Sequence, residues 1–362
     1  MIKGGTVYHA TTSDGWELAI KRYKPRGKVA GYPVVMCHGL MANRYSVDFG
    51  EEGTKEWDRY SLAAYLYKGG GGGLKFDVWV PELRGRNGSR TFDPDEHPER
   101  YNWCIDDYID KDVPAIIDKV QEVYCEERGE KTSIFWVGKS MGGMIAYAYG
   151  EGKEGHKNLR GVVTMGSPVY FEKTQLWRRM LAAVSPRNIK KPVNLVEILE
   201  KLGKIGVLEN TIASKSNIDE DILKRYVNEG LNNKISFRVL EQFEVFQRHN
   251  NFSRYPSRPW VYDMLGDIPL LGKYFSPRSY AKNLDKFVSP LLAIAGGGDT
   301  LAPPEEVRHV ACSVGSTDVA FHEFSKAAGY SEDYGHLDLN LGRKAKEEVY
   351  PVIYEWLRER AV

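Results

Sequence analysis

The chain has 362 residues, of which 42% are hydrophobic, 12% aromatic and 27% charged, and its net charge is +1 at pH 7. These values are typical of a globular protein with a sizeable core and exclude an intrinsically disordered chain. The balanced charge, without any run of Lys or Arg, argues against a nucleic-acid partner.

The chain begins with an alternation typical of two strands around a turn, over residues 6–10 and 16–20. From Pro33 onward, short apolar runs alternate with longer helical stretches, which is typical of a mostly parallel sheet. The strands predicted from these runs cover residues 33–37, 76–80, 134–137, 161–165, 291–295 and 319–324. The predicted helices cover residues 57–67, 109–127, 141–149 and 344–360. Together they predict the α/β class.

Residues 170–285 break this rhythm, because their pattern is mainly helical. They contain 19 Lys and Arg against 13 Asp and Glu, a net charge of +6, which leaves −5 for the rest of the chain. Since the strands on either side are needed to complete one sheet, we interpret the segment as an inserted helical cap, or lid. The catalytic core is then formed by residues 1–169 and 286–362.

The strongest chemical signal is Gly138-Lys139-Ser140-Met141-Gly142, which stands between a predicted strand and a predicted helix. This context is the one a nucleophile elbow requires, with the serine on a sharp turn and small neighbours at −2 and +2. The helix behind the serine offers a backbone N–H to a developing oxyanion. We therefore predict that Ser140 is a nucleophile.

A nucleophilic serine needs a base, and the base needs an orienting acid. In folds with this elbow the acid follows the serine and the histidine comes last. Asp299 follows the strand 291–295, and His336 follows the last strand, so we predict Asp299 as acid and His336 as general base. Asp333 and Asp338 are rivals for the acid, although both share the loop of His336.

The first parallel strand ends in Cys37-His38-Gly39-Leu40-Met41. A His-Gly step here can turn a backbone N–H towards the serine, so we predict the N–H groups of Leu40 and Met141 as the oxyanion hole. His38 is expected to form hydrogen bonds within its own loop.

These motifs resemble α/β-hydrolases. His38-Gly39-Leu40, Asp77-Val78-Trp79 with Arg84-Gly85, and the elbow are similar to acid lipases. Gly297-Gly298-Asp299 and Tyr334-Gly335-His336-Leu337-Asp338 are similar to the acid and base loops of polyhydroxyalkanoate synthases. The resemblance covers roughly residues 30–165 and 285–358, and it implies an α/β-hydrolase fold. Those synthases carry cysteine at the elbow, so Ser140 favours hydrolysis over polymerisation.

The sequence therefore predicts a carboxylic ester hydrolase that uses an acyl-enzyme and needs neither cofactor nor metal. The expected substrate is a small or lipid-like ester with an apolar acyl group. An acyltransferase, or a polyhydroxyalkanoate-related synthase or depolymerase, would use the same triad, and a binding protein on an inactive scaffold is a third alternative. The predicted substrate-binding residues are Met41 and, under the cap, Trp177, Met180, Trp260, Met264 and Leu265.

The four cysteines, Cys37, Cys104, Cys125 and Cys312, show neither C-x-x-C nor zinc-ligand spacing. We expect them to be free thiols in a reducing compartment. The first residues lack the apolar segment of a signal peptide, and no run of about 18 apolar residues could span a bilayer. We therefore expect a cytoplasmic protein without stable membrane insertion, and the sequence carries no signal for an oligomeric state.

Overall fold

A computed structural model describes residues 5–27, 29–172, 192–266, 268 and 272–361. Its centre is an eight-stranded sheet with the order β1-β2-β4-β3-β5-β6-β7-β8. The strands are β1 Thr6–Thr11, β2 Glu17–Tyr23, β3 Val34–Cys37, β4 Val78–Pro81, β5 Ile134–Lys139, β6 Leu159–Met165, β7 Leu291–Gly296 and β8 Val319–Phe324. The first three neighbours, β1, β2 and β4, pair antiparallel, and every later pair is parallel. The α/β prediction is confirmed.

The composition of the strands explains where they lie in the sheet. All residues of β3, β4, β5 and β7 are buried, as expected for parallel strands covered on both faces. The edge strands β1 and β8 keep exposed or half-buried residues. Since successive side chains point to opposite faces, Val35 and Cys37 join one hydrophobic cluster, whereas Val34 and Met36 join the other.

Six described helices of the core precede β7 and β8 in the chain, and they cover the two faces of the sheet. They are α1 Lys55–Tyr60, α2 Leu62–Lys68, α3 Ile105–Asp107, α4 Val113–Arg128, α5 Met141–Gly150 and α6 Lys153–Asn158. The single helix predicted over 57–67 is two helices, because Ser61 leaves helical geometry and its hydroxyl accepts the N–H of Ala64 as the cap of α2. The predicted helices at 109–127 and 141–149 are confirmed within a few residues.

The segment between β6 and β7 is mainly helical in its described part. It contains α7 Leu195–Lys201, α8 Ile205–Ile212, α9 Glu220–Arg225, a π-helical turn at Tyr226–Leu231, α10 Phe237–Arg248, α11 Pro259–Leu265 and α12 Gly272–Phe275. The core then closes with α13 Pro304–Ser313, α14 Asp338–Leu341 and α15 Ala345–Arg360. Among the described residues, no helix combines the length and apolar character that crossing a bilayer requires.

Candidate active site

Ser140 stands between the end of β5 and the start of α5 in an unusual backbone conformation. Its φ of 54° and ψ of −120° lie outside the regions that residues with a Cβ normally adopt. Such strain costs about 1–3 kcal/mol and is maintained only where the surroundings hold it. Here the Ser140 N–H donates to the carbonyl of Met165 at 2.9 Å, and its carbonyl accepts the N–H of Gly143 at 2.9 Å. The sharp turn expected of a nucleophile elbow is present.

Glycine is required on both sides of this turn because other backbone approaches closely. A Cβ at Gly142 would lie 2.5 Å from the carbonyl oxygen of Cys37 and 2.7 Å from that of His38. A Cβ at Gly138 would collide with the backbone of Gly142. The elbow therefore packs directly against the end of β3, which carries the loop that begins at His38.

Asp299 and His336 come from two loops that meet at the carboxyl ends of the strands. Asp299 follows β7, and its Oδ1 accepts the N–H groups of Leu301 at 2.8 Å and Ala302 at 2.9 Å. Its Oδ2 lies 2.7 Å from Nδ1 of His336. The carboxylate is thus oriented by its own loop and presents its second oxygen to the imidazole.

Gly166, which is not among the residues predicted from the sequence, makes room for this pair. A Cβ at Gly166 would lie 2.9 Å from Oδ2 of Asp299 and 3.0 Å from Nδ1 of His336, and its φ of 60° also favours glycine. Its place directly after β6, beside the elbow strand, is the signal that could have identified it.

The surroundings of His336 favour its neutral form. Burial lowers the pKa of His336 below its ordinary value, the carboxylate of Asp299 raises it, and the positive charge of Lys139 lowers it again. Because the net direction is downward from 6.5, the imidazole is neutral at pH 7 and its Nε2 is free of a proton when Nδ1–H donates to Asp299. This is the state a general base needs.

Neither rival carboxylate contacts this imidazole in the described part of the chain. Asp338 accepts the N–H of Gly335 at 3.0 Å and that of Ser214 at 3.2 Å, so it anchors the loop. Burial raises the pKa of Asp338 to about 6. Asp333 accepts the N–H of Lys326 at 2.8 Å.

The loop after β3 lies against the serine. A Cβ on Gly39 would be only 3.0 Å from the Cβ of Ser140. The buried His38 shapes this loop, since its Nδ1 lies 3.0 Å from the carbonyl of Gly39 and its Nε2 accepts the N–H of Leu83 at 3.1 Å. Burial lowers the pKa of His38 to about 3, so its ring is neutral. The expected hydrogen bonding within the loop is found.

Ser140 and His336 line the same cavity. Leu40 and Met41 form one side of its wall, and Met141 begins α5 directly behind Ser140. Because the first N–H groups of a helix have no partner within the helix, the Met141 N–H is suited to a ligand. The rest of the wall is mostly apolar: Ala42, Leu208, Ile212, Tyr226, Leu231, Leu301 and Leu337.

The structure does not bring the described ones among the predicted cap residues to this cavity. Trp260 and Met264 are 66% and 65% exposed, and neither lines it, so their prediction as substrate-binding residues needs correction. The reason is that α11 buries Val261 and Tyr262 and turns its other face outward. Leu265 is half-buried outside the cavity wall. Trp177 and Met180 lie outside the described residues.

The insertion reaches the cavity through other side chains. Leu208 and Ile212 of α8 and Tyr226 and Leu231 of the π-helical turn form its wall. Their spacing in the sequence does not identify them as binding residues, because apolar residues at helical spacing are as common in packing as in binding. Nor does the described part of the chain group three or more His, Cys, Asp or Glu side chains in a way that could hold a metal ion.

Comparisons with known proteins agree with this architecture. The family model of the alpha/beta hydrolase fold matches residues 32–327. The chain is 24% identical to human Lipase member K over an alignment of 379 positions, which covers 95% of this chain and 85% of that one. It is 29% identical to Lipase lipl-3 of Caenorhabditis elegans over 154 residues, only 40% of this chain and 33% of that lipase.

A solved structure with the same fold is a thermophilic esterase from Thermogutta terrifontis, at 18% identity and a TM-score of 0.57, with 99% of this chain and 100% of that chain covered. With the family match spanning most of its length, this chain belongs to the alpha/beta hydrolase fold family.

Proposed function

We propose that the chain hydrolyses carboxylic esters through an acyl-enzyme on Ser140. The observation that carries the proposal is the meeting of a strained serine with an imidazole in one cavity. Ser140 and His336 both line it, and His336 is held by Asp299 at 2.7 Å. The lipase and esterase names of the similar proteins support the same reaction class.

In the first half of the reaction, the Ser140 hydroxyl attacks the ester carbonyl while Nε2 of His336 takes its proton. Asp299 keeps Nδ1 protonated and stabilises the imidazolium that forms. His336 then passes the proton to the leaving alcohol as the carbon–oxygen bond breaks. In the second half, His336 deprotonates a water molecule, which attacks the acyl carbon. As the bond between the acyl carbon and Ser140 Oγ breaks, His336 returns this proton to Oγ, and the acid leaves.

The tetrahedral intermediates carry a negative oxygen, which needs donors already in place. We assign this role to the backbone N–H groups of Leu40 and Met141, on either side of Ser140. The loop of Leu40 is held by two hydrogen bonds. His38 accepts the N–H of Leu83, and the amide of Asn233, from the insertion, donates to the carbonyl of Met41 at 3.1 Å. Donors fixed in this way need no reorganisation when the charge appears.

We propose esters of apolar acids as substrates. The cavity wall beside Ser140 consists largely of aliphatic side chains, among them Leu208, Ile212 and Leu231. The reaction as proposed requires no metal and no organic cofactor.

Ser140→Ala tests the proposal directly. We expect the wild type to hydrolyse p-nitrophenyl esters and Ser140→Ala to lose at least about 10³-fold in kcat, because removing the nucleophile leaves only binding and the oxyanion hole. Ser276→Ala, an exposed serine outside the cavity, is the matched control and should keep full activity. Both variants should melt as the wild type does.

Covalent labelling by a fluorophosphonate probe should require Ser140. Hydrolysis in the presence of an added alcohol, with the products separated, distinguishes transfer to water from transfer to the alcohol. Near wild-type turnover in folded Ser140→Ala would end the proposal.

A further inference from the structure

Lys139, the residue before Ser140, places an ammonium group inside the protein. The residue is only 3% exposed and lines the cavity with Ser140 and His336. Its Nζ donates to the carbonyl of His336 at 2.6 Å and lies 3.4 Å from the carbonyl of Met165. The mechanism above makes no use of this group.

Burial of a charge without a contacting carboxylate is costly, so the position needs an explanation. The acceptors of Lys139 are backbone carbonyls, but the carboxylates of Asp299 and Asp338 act on it through space. Burial, the largest effect, lowers the pKa of Lys139, and both carboxylates oppose it, which leaves a pKa of about 8. The ammonium is therefore mostly charged at neutral pH.

The hydrogen bond of Lys139 completes a set of three that hold consecutive residues of one loop. The Gly335 N–H donates to Asp338 at 3.0 Å, the His336 carbonyl accepts Lys139 at 2.6 Å, and the Leu337 N–H donates to the carbonyl of Ile212 at 2.6 Å. Of these three bonds, only the one from Lys139 joins the histidine itself to the nucleophile elbow. The distance between the serine and the imidazole thus depends on a side chain adjacent to the serine.

We infer that Lys139 is a positioning residue for the general base, which ties the backbone of His336 to the elbow and sets the imidazole's charge state through its own positive charge. The inference rests on the proposed function. Two effects should follow from it. Loss of the tether should misplace the ring, and a misplacement of about 1 Å can cost about 10²-fold in rate.

The second effect is electrostatic, and its sign can be derived. Lys139 lowers the pKa of His336, whereas Asp299 raises it. Without the ammonium, the lowering effect of Lys139 would be lost while Asp299 continued to raise the pKa of His336, so this pKa would rise. Because activity needs neutral His336, the acidic limb of kcat/KM should move to higher pH by roughly one unit when this nearby charge is removed.

The experiment compares Lys139→Met and Lys139→Gln, which remove the charge, with Lys139→Arg, which keeps it. Lys153→Met, on the exposed start of α6, is the matched control. We expect kcat to fall about 10- to 100-fold in the Met variant. KM should change little, because the hydrogen bond from Lys139 to His336 positions the base and does not bind the acyl chain. The acidic limb of the kcat/KM profile should move to higher pH in the Met and Gln variants but not in Lys139→Arg or Lys153→Met.

A merely structural lysine would lower the melting temperature without moving the limb, and that result would overturn the inference. If Lys139→Met does not fold, Lys139→Gln carries the same test. To separate this inference from the proposed function, the pKa of His336 is also measured by NMR in the Ser140→Ala background, where no turnover is needed. An unchanged His336 pKa in Ser140→Ala/Lys139→Gln would reject the electrostatic role even if the wild type hydrolyses no ester.

Discussion

Asp299 and Asp338 flank the same histidine loop, but they have different partners. One carboxylate oxygen of Asp299 accepts a backbone N–H of its own loop, and the other accepts a hydrogen bond from Nδ1 of His336. Asp338 gives its oxygens to the N–H groups of Gly335 and Ser214. A carboxylate that contacts the ring governs its tautomer, whereas one that contacts backbone governs only where the loop lies.

We therefore expect Asp299→Asn to reduce kcat by about 10³- to 10⁴-fold, because an amide facing Nδ1 favours the wrong tautomer. Asp338→Asn should lower the melting temperature and cost less than about tenfold in kcat, since an amide oxygen can still accept one backbone N–H. Steady-state kinetics with one p-nitrophenyl ester, together with melting curves, check both. The reverse ranking would transfer the acid role to Asp338.

At the scale of elements, the elbow depends on the contact between the start of α5 and the end of β3. Gly142→Ala would place a methyl group 2.5 Å from the Cys37 carbonyl and 2.7 Å from that of His38. Both are backbone atoms and cannot turn aside, so we expect a lower melting temperature and at least a tenfold loss of activity from displacement of the loop after β3.

Gly206→Ala is the matched control for this substitution. Gly206 lies in α8, where an added Cβ would meet nothing within 4 Å. Alanine should stabilise the helix there by up to about 1 kcal/mol and leave turnover unchanged. Equal behaviour of the two variants would show that the elbow tolerates a side chain at position 142 and would contradict the proposed geometry.

The helical insertion supplies several side chains of the cavity wall, and we propose that α8 and the π-helical turn therefore determine which acyl groups are accepted. Leu231→Trp would fill part of the cavity beside Ser140, so kcat/KM should fall about tenfold more for octanoate than for acetate. Trp260→Ala should affect kcat/KM by the same factor for esters of every chain length, because Trp260 is 66% exposed and does not line the cavity. The measurement is kcat/KM for p-nitrophenyl esters of graded length. Selectivity that follows Trp260 instead would place the acyl site under α11.

At the scale of the molecule, the described part of the insertion is bonded to the core on both sides of the cavity. On the serine side, the Asn43 amide donates to the carbonyl of Glu229 at 2.6 Å, and Arg225 pairs with Glu56. On the histidine side, Leu337 donates to Ile212, and Arg343 pairs with Asp219 at 2.8 Å. We propose that this part of the cap is a fixed wall rather than a moving lid.

A fixed wall should unfold together with the core. We expect one thermal transition, with far-UV circular dichroism, tryptophan fluorescence and loss of esterase activity at the same midpoint. Activity and fluorescence lost well before the helical signal would instead indicate an independently unfolding cap.

The four cysteines are free thiols, and Cys37 and Cys104 are buried. The reducing, cytoplasmic compartment stays a prediction.

The sequence by itself determined the sheet and the identity of the elbow. Both are written in short-range patterns: apolar runs of strand length, and glycines at −2 and +2 of Ser140. It also placed Asp299 and His336 in loops at the ends of strands, because parallel strands end at the same edge of a sheet.

Only the tertiary structure decided which carboxylate meets the imidazole, that Lys139 turns inward to His336, and that Trp260 turns outward. Each of these depends on which side chain of one loop or short helix faces another segment far away in sequence. A helix of seven residues such as α11 has too few turns for periodicity to reveal its buried face. The partner of Lys139 lies 197 residues further along the chain, and no local pattern encodes that distance.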